Sequence, residues 1–378
     1  MDKKCVLAFS SIYIDPTGDV RPCCIAGTFD NKLNWNDSDN LEDLYNSTQF
    51  KELRKSMVEG KPLSVCDVCY KGAADLKNHW NKQWKDKLNS PTLYDENFNI
   101  SKVSYVDARF SNICNFKCRM CSPDLSSSWY EDFVSIAGQA GKDYIGRMKT
   151  IGENPVDKFT DEDIANIEHI NVAGGEPFIT ADFFKLIDRI TPEQAAKVTM
   201  FVNTNLSTLF FKRRNIIEIL SKFKSVHLSC SCDGYGEIGE YQRTGFSSEK
   251  FFNNLKMLDA LSKKYNNIEV GLEYTITTLN MFHIFEFLDY IDSSTPLNRN
   301  AVHFHWANGP AGFAPAAMPE SLKQKVTEYI NNNLKNDLNQ NFVKRNLEPF
   351  VNYISKETQE SYLIQVYKDP KDMFTKLD

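Results

Sequence analysis

Six short apolar runs, separated by stretches with helical periodicity, fill the middle of the chain. We predict strands at these runs, which cover Val103–Arg109, Ile167–Ala173, Val198–Thr204, Ser225–Ser231, Ile268–Ile276 and Ala301–Trp306. The helical patterns include Asp182–Ile190, Phe210–Phe223, Glu249–Tyr265 and Phe282–Ile291. Strands that alternate with helices form parallel sheets, because each helix returns the chain to the same end of the sheet. The sequence therefore predicts an α/β fold, either a parallel barrel or an open sheet, with ligands at the carboxyl ends of the strands.

The regions on either side of this pattern differ from it, and we predict boundaries near residues 100 and 310. Residues 1–100 are rich in loops and cysteine, with one amphipathic helix predicted over Leu41–Val58. Residues 311–378, with a helical pattern over Glu320–Leu334, are predicted to form a helical C-terminal extension.

Charge and hydropathy exclude several classes of partner. The net charge of −6 gives no electrostatic reason to expect nucleic acid or an acidic membrane surface. We find no signal peptide and no apolar run long enough to span a bilayer, so we expect a cytoplasmic protein. Ten cysteines in such a chain favour metal ligation or reactive thiols over disulfides.

Three of the cysteines, Cys114, Cys118 and Cys121, follow directly after the first predicted strand. A structural zinc site needs four closed ligands, which this trio cannot supply alone. Three thiolates on an iron–sulfur cube instead leave one iron open to a further ligand. A zinc knuckle completed from elsewhere and chance spacing are the alternatives.

The stretch from Cys114 to Cys121, Cys-Asn-Phe-Lys-Cys-Arg-Met-Cys, resembles the cluster loop of radical S-adenosylmethionine (SAM) enzymes. Further segments match the family's motifs in the family's order, and these are Gly174-Gly175-Glu176-Pro177, Asn203-Thr204-Asn205, Ser231-Cys232-Asp233-Gly234 and Glu240 to Gly245. The resemblance implies a partial (β/α)6 TIM-like barrel and a 4Fe–4S cluster whose open iron binds the amino and carboxylate groups of SAM.

The same resemblance assigns residues that bind SAM. They are Gly174, Gly175, Glu176, Pro177, Asn205, Ser231, Arg243 and Met120. An arginine suits the SAM carboxylate because its planar guanidinium donates two parallel hydrogen bonds. Met120 departs from the family, which often has an aromatic residue against the adenine, and a polarizable thioether can take that place.

The first 70 residues resemble the auxiliary-cluster modules called SPASM and, in their shorter form, twitch. The ligands implied by the resemblance are Cys5, Cys23, Cys66 and Cys69, which would hold a second 4Fe–4S cluster. Cys24 is an alternative to Cys23, and a closed zinc site with four cysteines is an alternative to the cluster. Twitch is the better fit, because the two clusters of a full SPASM module need more cysteine pairs. This module precedes the barrel, whereas in most relatives it follows.

Strand alternation predicts which side chains face the inside of the barrel. Taking the polar series as inward gives Asp107, His169, Asn171, Asn203, His227, Ser229, Glu273, Thr275, His303 and His305. Such a lining fits a substrate that forms hydrogen bonds, since barrels otherwise fill their centres with apolar side chains. Glu273, Tyr235 and Cys232 are the candidates for quenching a substrate radical or taking its proton, and Cys230 is predicted to be a core residue.

The resemblance implies reductive cleavage of SAM to a 5′-deoxyadenosyl radical that abstracts hydrogen from a substrate C–H bond. Relatives with auxiliary clusters mostly modify peptides or proteins by crosslinking, epimerisation or oxidation, so we expect a peptide or protein substrate and a flavodoxin- or ferredoxin-like electron donor. One alternative is a twitch-type dehydrogenase of a small polar metabolite. The other is a non-catalytic iron–sulfur or zinc protein that acts as a sensor or scaffold.

Overall fold

The computed structural model describes residues 4–72, 76–148, 155–336 and 340–356. Eight strands form one largely parallel sheet in the order β8-β7-β6-β5-β4-β3-β1-β2. Their bounds are β1 Ser11–Ile14, β2 Val20–Arg21, β3 Tyr105–Ala108, β4 His169–Val172, β5 Thr199–Thr204, β6 Ser225–Ser231, β7 Ile268–Ile276 and β8 Val302–Trp306. The last 22 residues of the predicted extension, 357–378, and residues 337–339 lie outside the described part.

The six predicted strands are β3 to β8, and they are neighbours in the sheet in chain order. The α/β class is therefore confirmed. Two of them, β6 and β7, have the predicted bounds. In β6 every second residue is buried, and these are Val226, Leu228 and Cys230, as expected of a strand with one face against helices. Cys230 is therefore the core residue that the alternation predicted.

Two further strands come from the N-terminal region, where we predicted none. β1 runs parallel to β3, with Tyr13 opposite Asp107, and β2 runs antiparallel to β1. All four residues of β1 are buried, so the strand lacks the alternation by which a half-exposed strand is recognised. The turn between these strands contains Gly18 at φ 83°, a conformation that favours glycine.

Along the chain, helices precede, separate and follow the strands. The α-helices are Leu41–Tyr45, Thr48–Val58, Asp67–Tyr70, Leu76–Gln83, Lys85–Leu88, Tyr130–Met148, Asp161–Ala165, Ala181–Arg189, Pro192–Ala195, Ile216–Leu220, Gly236–Gln242, Ser248–Ser262, Ile284–Ser294, Glu320–Asn336 and Gln340–Lys356. The predicted helices at 182–190, 249–265, 282–291 and 320–334 are present, with ends shifted by a few residues.

Two helix predictions were wrong. Phe210–Phe223 begins as a small hairpin that pairs Phe210 with Asn215, and only Ile216–Leu220 is helical. Leu41–Val58 is two helices, because the chain leaves helical geometry at Asn46. The Asn46 side chain there exchanges hydrogen bonds with the backbone of Ile100.

The described chain divides into two compact units. The first comprises Met1–Asn115, Pro123–Asn203 and Phe210–His227, and the second comprises Phe116–Ser122, Thr204–Leu209 and Leu228–Asp378. The domain boundaries near 100 and 310 stay a prediction. Within the described residues, no helix has both the length and the hydropathy that crossing a bilayer would require.

Candidate functional site

The Gly174-Gly175 turn follows β4 in the first unit and packs on the chain ahead of Cys114. Gly174 has φ 81° and Gly175 has φ 51°, both in the left-handed region. A Cβ on Gly175 would overlap the carbonyl oxygen of Ile113, and the Glu176 amide donates to that same oxygen at 2.8 Å. Only glycine lets the backbone pack this closely. The turn is thereby fixed against the segment that leads into Cys114.

The backbone of Cys114 is held by two serines that sequence reasoning missed. The Cys114 amide donates to Ser127 Oγ at 3.4 Å, and Ser128 Oγ donates to the Cys114 carbonyl at 2.7 Å. Asn112 Nδ2 donates to the Pro123 carbonyl at 2.8 Å. These bonds tie both ends of the loop, since Asn112 precedes the cysteines and Pro123 follows them. The Ser-rich run after the trio was the only sequence signal.

In the second unit, Cys118 lies beside a buried ion pair. Residues 117–118 pair with 243–244 as short antiparallel strands, which places Cys118 opposite Arg243. Arg243 Nε donates to Asp233 Oδ2 at 2.6 Å, and its Nη1 donates to Cys118 Sγ at 3.8 Å. Asp233 also accepts from the Thr275 amide at 2.8 Å. Sequence reasoning named Asp233 only as part of a motif and missed this function.

Neighbouring groups act on the ionisation of Cys118 in opposite directions. A hydrogen bond with Cys121 and burial raise the pKa of the Cys118 thiol well above its ordinary value, while the positive charge of Arg243 acts in the opposite direction. Burial works against the charge of Arg243, but Asp233 and the thiols hold its pKa above the usual range. A guanidinium fixed in this way can stabilise a cysteine thiolate that binds a metal.

The remaining predicted SAM residues lie in the same two units. Pro177 and Glu176 are buried in the first unit, and Glu176 Oε1 accepts from the Phe178 amide at 3.0 Å. Asn205 is buried in the second unit, where its Oδ1 accepts from the Ser207 amide at 2.9 Å. Met120 and Ser231, in that unit too, are half-buried. Their contact with SAM stays a prediction.

The four predicted auxiliary ligands lie together in the first unit. Cys5 interacts electrostatically with Cys69, and Cys66 does so with both of them. Cys23 interacts with Cys5 and Cys66. Burial raises the pKa of Cys5 to about 11 and that of Cys66 to about 12. Four partly buried thiols that interact with one another fit an iron–sulfur cluster, because bound iron supplies the positive charge that thiolates shielded from water need.

Cys24 occupies a different environment from Cys23. Burial raises the pKa of Cys24 to about 11, and its nearest charged neighbours are Asp107 and Arg109 on and after β3. Cys23 interacts electrostatically with Cys24 and also with Cys5 and Cys66, whereas the interactions of Cys24 are with Asp107 and Arg109, so the charge interactions favour Cys23 as the ligand. Among the described residues, no three side chains of His, Cys, Asp or Glu have the geometry of a single-ion site. A cube differs from such a site, since each of its thiolates binds a separate iron.

Glu273 on β7 joins two histidines of β8. Its Oε1 lies 3.2 Å from His303 Nδ1, and its Oε2 lies 2.6 Å from His305 Nε2. Burial alone would raise the pKa of Glu273, but the hydrogen bonds from both histidines lower it to about 2. The hydrogen bond with Glu273 raises the pKa of His303. Both histidine side chains are more than half exposed, at 58% and 63%, so they are accessible to a partner.

His169 has an aromatic environment rather than the polar one we predicted. Its ring lies 5.1 Å from Trp80 and 5.0 Å from Trp84, with Tyr105 and Phe201 also in contact. Burial lowers its pKa to about 4. His169 is therefore a neutral member of an aromatic cluster, because Trp80 on the helix Leu76–Gln83 and Trp84 directly after it pack against β3 and β4.

The other two candidates for radical quenching are held by neighbours in the second unit. The Tyr235 hydroxyl donates to Glu286 at 2.8 Å, and its ring stacks on Tyr290 at 4.1 Å. Cys232 is fully buried, its thiol donates to the Gly234 carbonyl at 3.2 Å, and burial raises its pKa to about 12. The catalytic roles of Glu273, Tyr235 and Cys232 stay predictions.

Two family profiles match the chain. The profile of the radical SAM superfamily matches residues 109–289, and that of the SPASM iron–sulfur cluster-binding domain matches residues 5–70. Residues 109–289 therefore carry a radical SAM domain, and residues 5–70 carry a SPASM iron–sulfur domain. Iron–sulfur clusters and SAM are the cofactors that go with these domains. A comparison with curated proteins found no match.

Solved structures include similar chains at low identity. The native anSMEcpe structure with bound AdoMet and the Cp18Cys peptide is 17% identical, with a TM-score of 0.39, over 63% of this chain and 61% of that one. Streptococcus suis SuiB bound to S-adenosylmethionine is 16% identical, with a TM-score of 0.37, over 78% of this chain and 60% of that one. The chain thus spans about three fifths of the length of these structures.

Proposed function

We propose that this protein is a radical SAM enzyme that abstracts hydrogen from a C–H bond of a peptide or protein and thereby crosslinks, epimerises or oxidises it. The observation that carries the proposal is that the Gly174-Gly175 turn packs on the segment that leads into Cys114. A cofactor that binds the open iron of a cluster needs a binding turn next to the cysteine loop, and this turn packs on the segment directly before Cys114. The alternative function of a non-catalytic sensor or scaffold does not explain this close packing.

The chain's own residues have separate tasks in this proposal. Cys114, Cys118 and Cys121 would hold the cluster, and Arg243 would stabilise the Cys118 thiolate, to which its Nη1 donates. The Gly174-Gly175 turn packs on the backbone at Ile113, and we assign it to the methionyl part of SAM. When bound, the clusters and SAM supply electron transfer and the 5′-deoxyadenosyl radical. The protein positions the substrate carbon and excludes water.

Arg243 takes a modified task in the proposal. We expected it to bind the SAM carboxylate, and its Nε is already bonded to Asp233. Its Nη1 is directed to Cys118. Arg243 therefore acts first on the cluster ligand, and any contact with SAM uses the remaining guanidinium donors.

His303 and His305 are the proposed proton acceptors, with Glu273 positioning both rings. Oxidation of a substrate radical releases one proton and one electron, and an exposed imidazole near neutral pH is suited to take the proton. Glu273 itself is a weak base because its pKa is lowered to about 2. We propose Cys5, Cys23, Cys66 and Cys69 as the ligands of the auxiliary cluster.

A peptide or protein substrate is favoured over a small metabolite by the exposure of His303 and His305. A small molecule is usually enclosed by its site, whereas groups that remain exposed suit a larger partner. A twitch-type dehydrogenase of a small polar metabolite is the second candidate, and the polar pairing of Glu273 with the histidines favours it as well.

The test is anaerobic SAM cleavage by the iron-reconstituted, reduced protein, with 5′-deoxyadenosine measured by mass spectrometry. Cleavage with about eight irons per chain, lost in Cys118→Ala, is the expected result. About four irons with one zinc would keep the radical chemistry and remove the auxiliary cluster. Absence of cleavage from fully loaded protein, both alone and with added peptide pools, would contradict the proposal.

A further inference from the structure

We propose that the segment 76–88 is the docking surface for an acidic one-electron carrier protein of the flavodoxin type, which takes an electron from the auxiliary cluster. The inference rests on the proposed function, because it requires a cluster at Cys5, Cys23, Cys66 and Cys69. One electron leaves the reduced cluster, which is thereby oxidised, and the same electron reduces the carrier. No atom is transferred.

The segment 76–88 carries an excess of positive charge. Residues 76–88 contain Lys77, Lys82, Lys85 and Lys87 against one acidic residue, Asp86, in a chain whose net charge is −6. Lys82 and Lys85 are exposed. A basic patch on an otherwise acidic protein attracts an acidic partner to one face, and such steering raises association rates by about 10- to 1,000-fold.

Lysines from other segments extend this patch. Lys102 acts electrostatically on Lys87, and Lys224 acts on His169, which packs against Trp84 of the same segment. Both Lys102 and Lys224 are exposed. Lys87 itself is paired with Glu168 at 2.9 Å, so the uncompensated charge comes from the other lysines. The patch therefore combines three separate segments of the first unit.

The helix Leu76–Gln83 contacts the chain on both sides of Cys5, a proposed cluster ligand. Asn81 Oδ1 accepts from the Val6 amide at 2.8 Å, and Asn81 Nδ2 donates to the Lys4 carbonyl at 2.8 Å. These two bonds hold the peptide groups on both sides of Cys5. Lys77 of the same helix also acts electrostatically on Cys5. The basic helix thus contacts the chain directly at Cys5, a proposed cluster ligand. A short distance favours electron transfer, because tunnelling falls off steeply with distance.

Aromatic rings pack between Tyr105 and the basic segment 76–88. Tyr105 interacts electrostatically with Cys23, and its ring lies 4.9 Å from Trp80. Trp80 lies 4.9 Å from Trp84, and Lys87 Nζ lies 4.1 Å from the Trp84 ring. Packed rings therefore run from Tyr105, which acts electrostatically on both Cys24 and Cys23, to the basic surface. Tunnelling through packed atoms is faster than through gaps, and none of these rings needs to be oxidised itself.

The experiment compares two double variants of the reconstituted full-length protein with the same change in charge. Lys82→Glu/Lys85→Glu reverses the patch, and Lys263→Glu/Lys264→Glu reverses two exposed lysines of the second unit as a control. Each protein is reduced and mixed with purified oxidised flavodoxin. The rate of cluster oxidation is followed by stopped-flow absorbance, and flavodoxin binding to the iron-free chain is measured by calorimetry.

We expect the patch variant to lower the second-order rate and the affinity at least tenfold at low salt, with a much smaller difference at 0.5 M salt. The control should change either quantity less than twofold. Equal loss in both variants, an unchanged rate in the patch variant, or salt-independent binding would overturn the proposal. So would binding of single-stranded nucleic acid, rather than flavodoxin, that depends on the same lysines.

Failure of this inference is separable from failure of the proposed function. SAM cleavage driven by a chemical reductant does not need the docking surface. If that cleavage is intact while iron analysis finds only about four irons, the carrier site is overturned and the radical enzyme stands. Absence of cleavage with normal carrier binding would have the opposite meaning.

Discussion

At the scale of single residues, the ion pair of Arg243 and Asp233 is the most consequential contact in the second unit. Both side chains are almost fully buried, at 10% and 0% exposure, and they lie beside a predicted cluster ligand. A buried charge that loses its partner is costly, because neither water nor another group compensates it.

We predict that Asp233→Asn lowers the free energy of unfolding of the iron-free chain by about 3–5 kcal/mol. Denaturant unfolding followed by circular dichroism measures this. Asp259→Asn is the control, since it removes an ion pair whose lysine, Lys263, is 70% exposed, and it should cost about 0–1 kcal/mol. Equal losses in the two variants would contradict the buried-pair interpretation.

Glu273 gives a prediction about pH. Glu273→Gln removes the carboxylate that raises the pKa of His303, so this pKa should fall towards its ordinary value of 6.5. Histidine titration by NMR measures the change. Glu269, the other carboxylate that acts on His303, provides the control: Glu269→Gln should produce a smaller shift.

The effect on stability follows from the signs of the two shifts. The Glu273 to His303 interaction stabilises the folded state where the histidine is protonated and the carboxylate ionised, between about pH 4.5 and 6.5. The advantage of the wild type over Glu273→Gln should shrink as pH rises through the raised pKa of His303. It should also shrink as pH falls from about 4.5 towards 2, where Glu273 becomes protonated. An advantage that grows at alkaline pH would refute this account.

At the scale of elements, the hairpin between Phe210 and Asn215 shows how a turn overrides a helical pattern. The segment has apolar residues at helical spacing, yet Lys212 and Arg213 adopt φ 46° and 69°. These left-handed conformations cost free energy in residues with a side chain, and tertiary packing of the hairpin must offset that cost.

We predict that Arg213→Gly stabilises the protein by about 0.5–1 kcal/mol, because glycine adopts positive φ without strain. Thermal unfolding measures the change. The same substitution at an exposed position inside a regular helix, Lys185→Gly, should destabilise by about 1 kcal/mol. A loss of stability in Arg213→Gly would show that its side chain, rather than its backbone, determines the turn.

At the scale of the whole molecule, the cofactor content depends on which cysteine of the adjacent pair points to the other thiols. Cys23 interacts with Cys5 and Cys66, whereas Cys24 faces Asp107 and Arg109. We predict that Cys23→Ala lowers the iron content from about eight to about four per chain and that Cys24→Ala leaves it unchanged. Iron analysis with Mössbauer spectroscopy decides this, and loss of iron in Cys24→Ala alone would reverse the assignment.

The sequence by itself determined the features that are local in the chain. Apolar runs with period two specified β3 to β8, and cysteine spacing specified the cluster loop, because strand alternation and ligand spacing both act over fewer than about ten residues. The fully buried β1 and the hairpin at Phe210 were missed, because burial on both faces and positive φ leave no periodic signal.

Only the tertiary structure decided the contacts between distant residues. Arg243 lies 125 residues from Cys118, and Asn81 lies 75 residues from Val6. Glu273 is separated by about thirty residues from the histidines that lower its pKa. Such pairs form when parallel strands and packed helices bring remote segments together, and no periodicity in the sequence encodes the direction in which their side chains point.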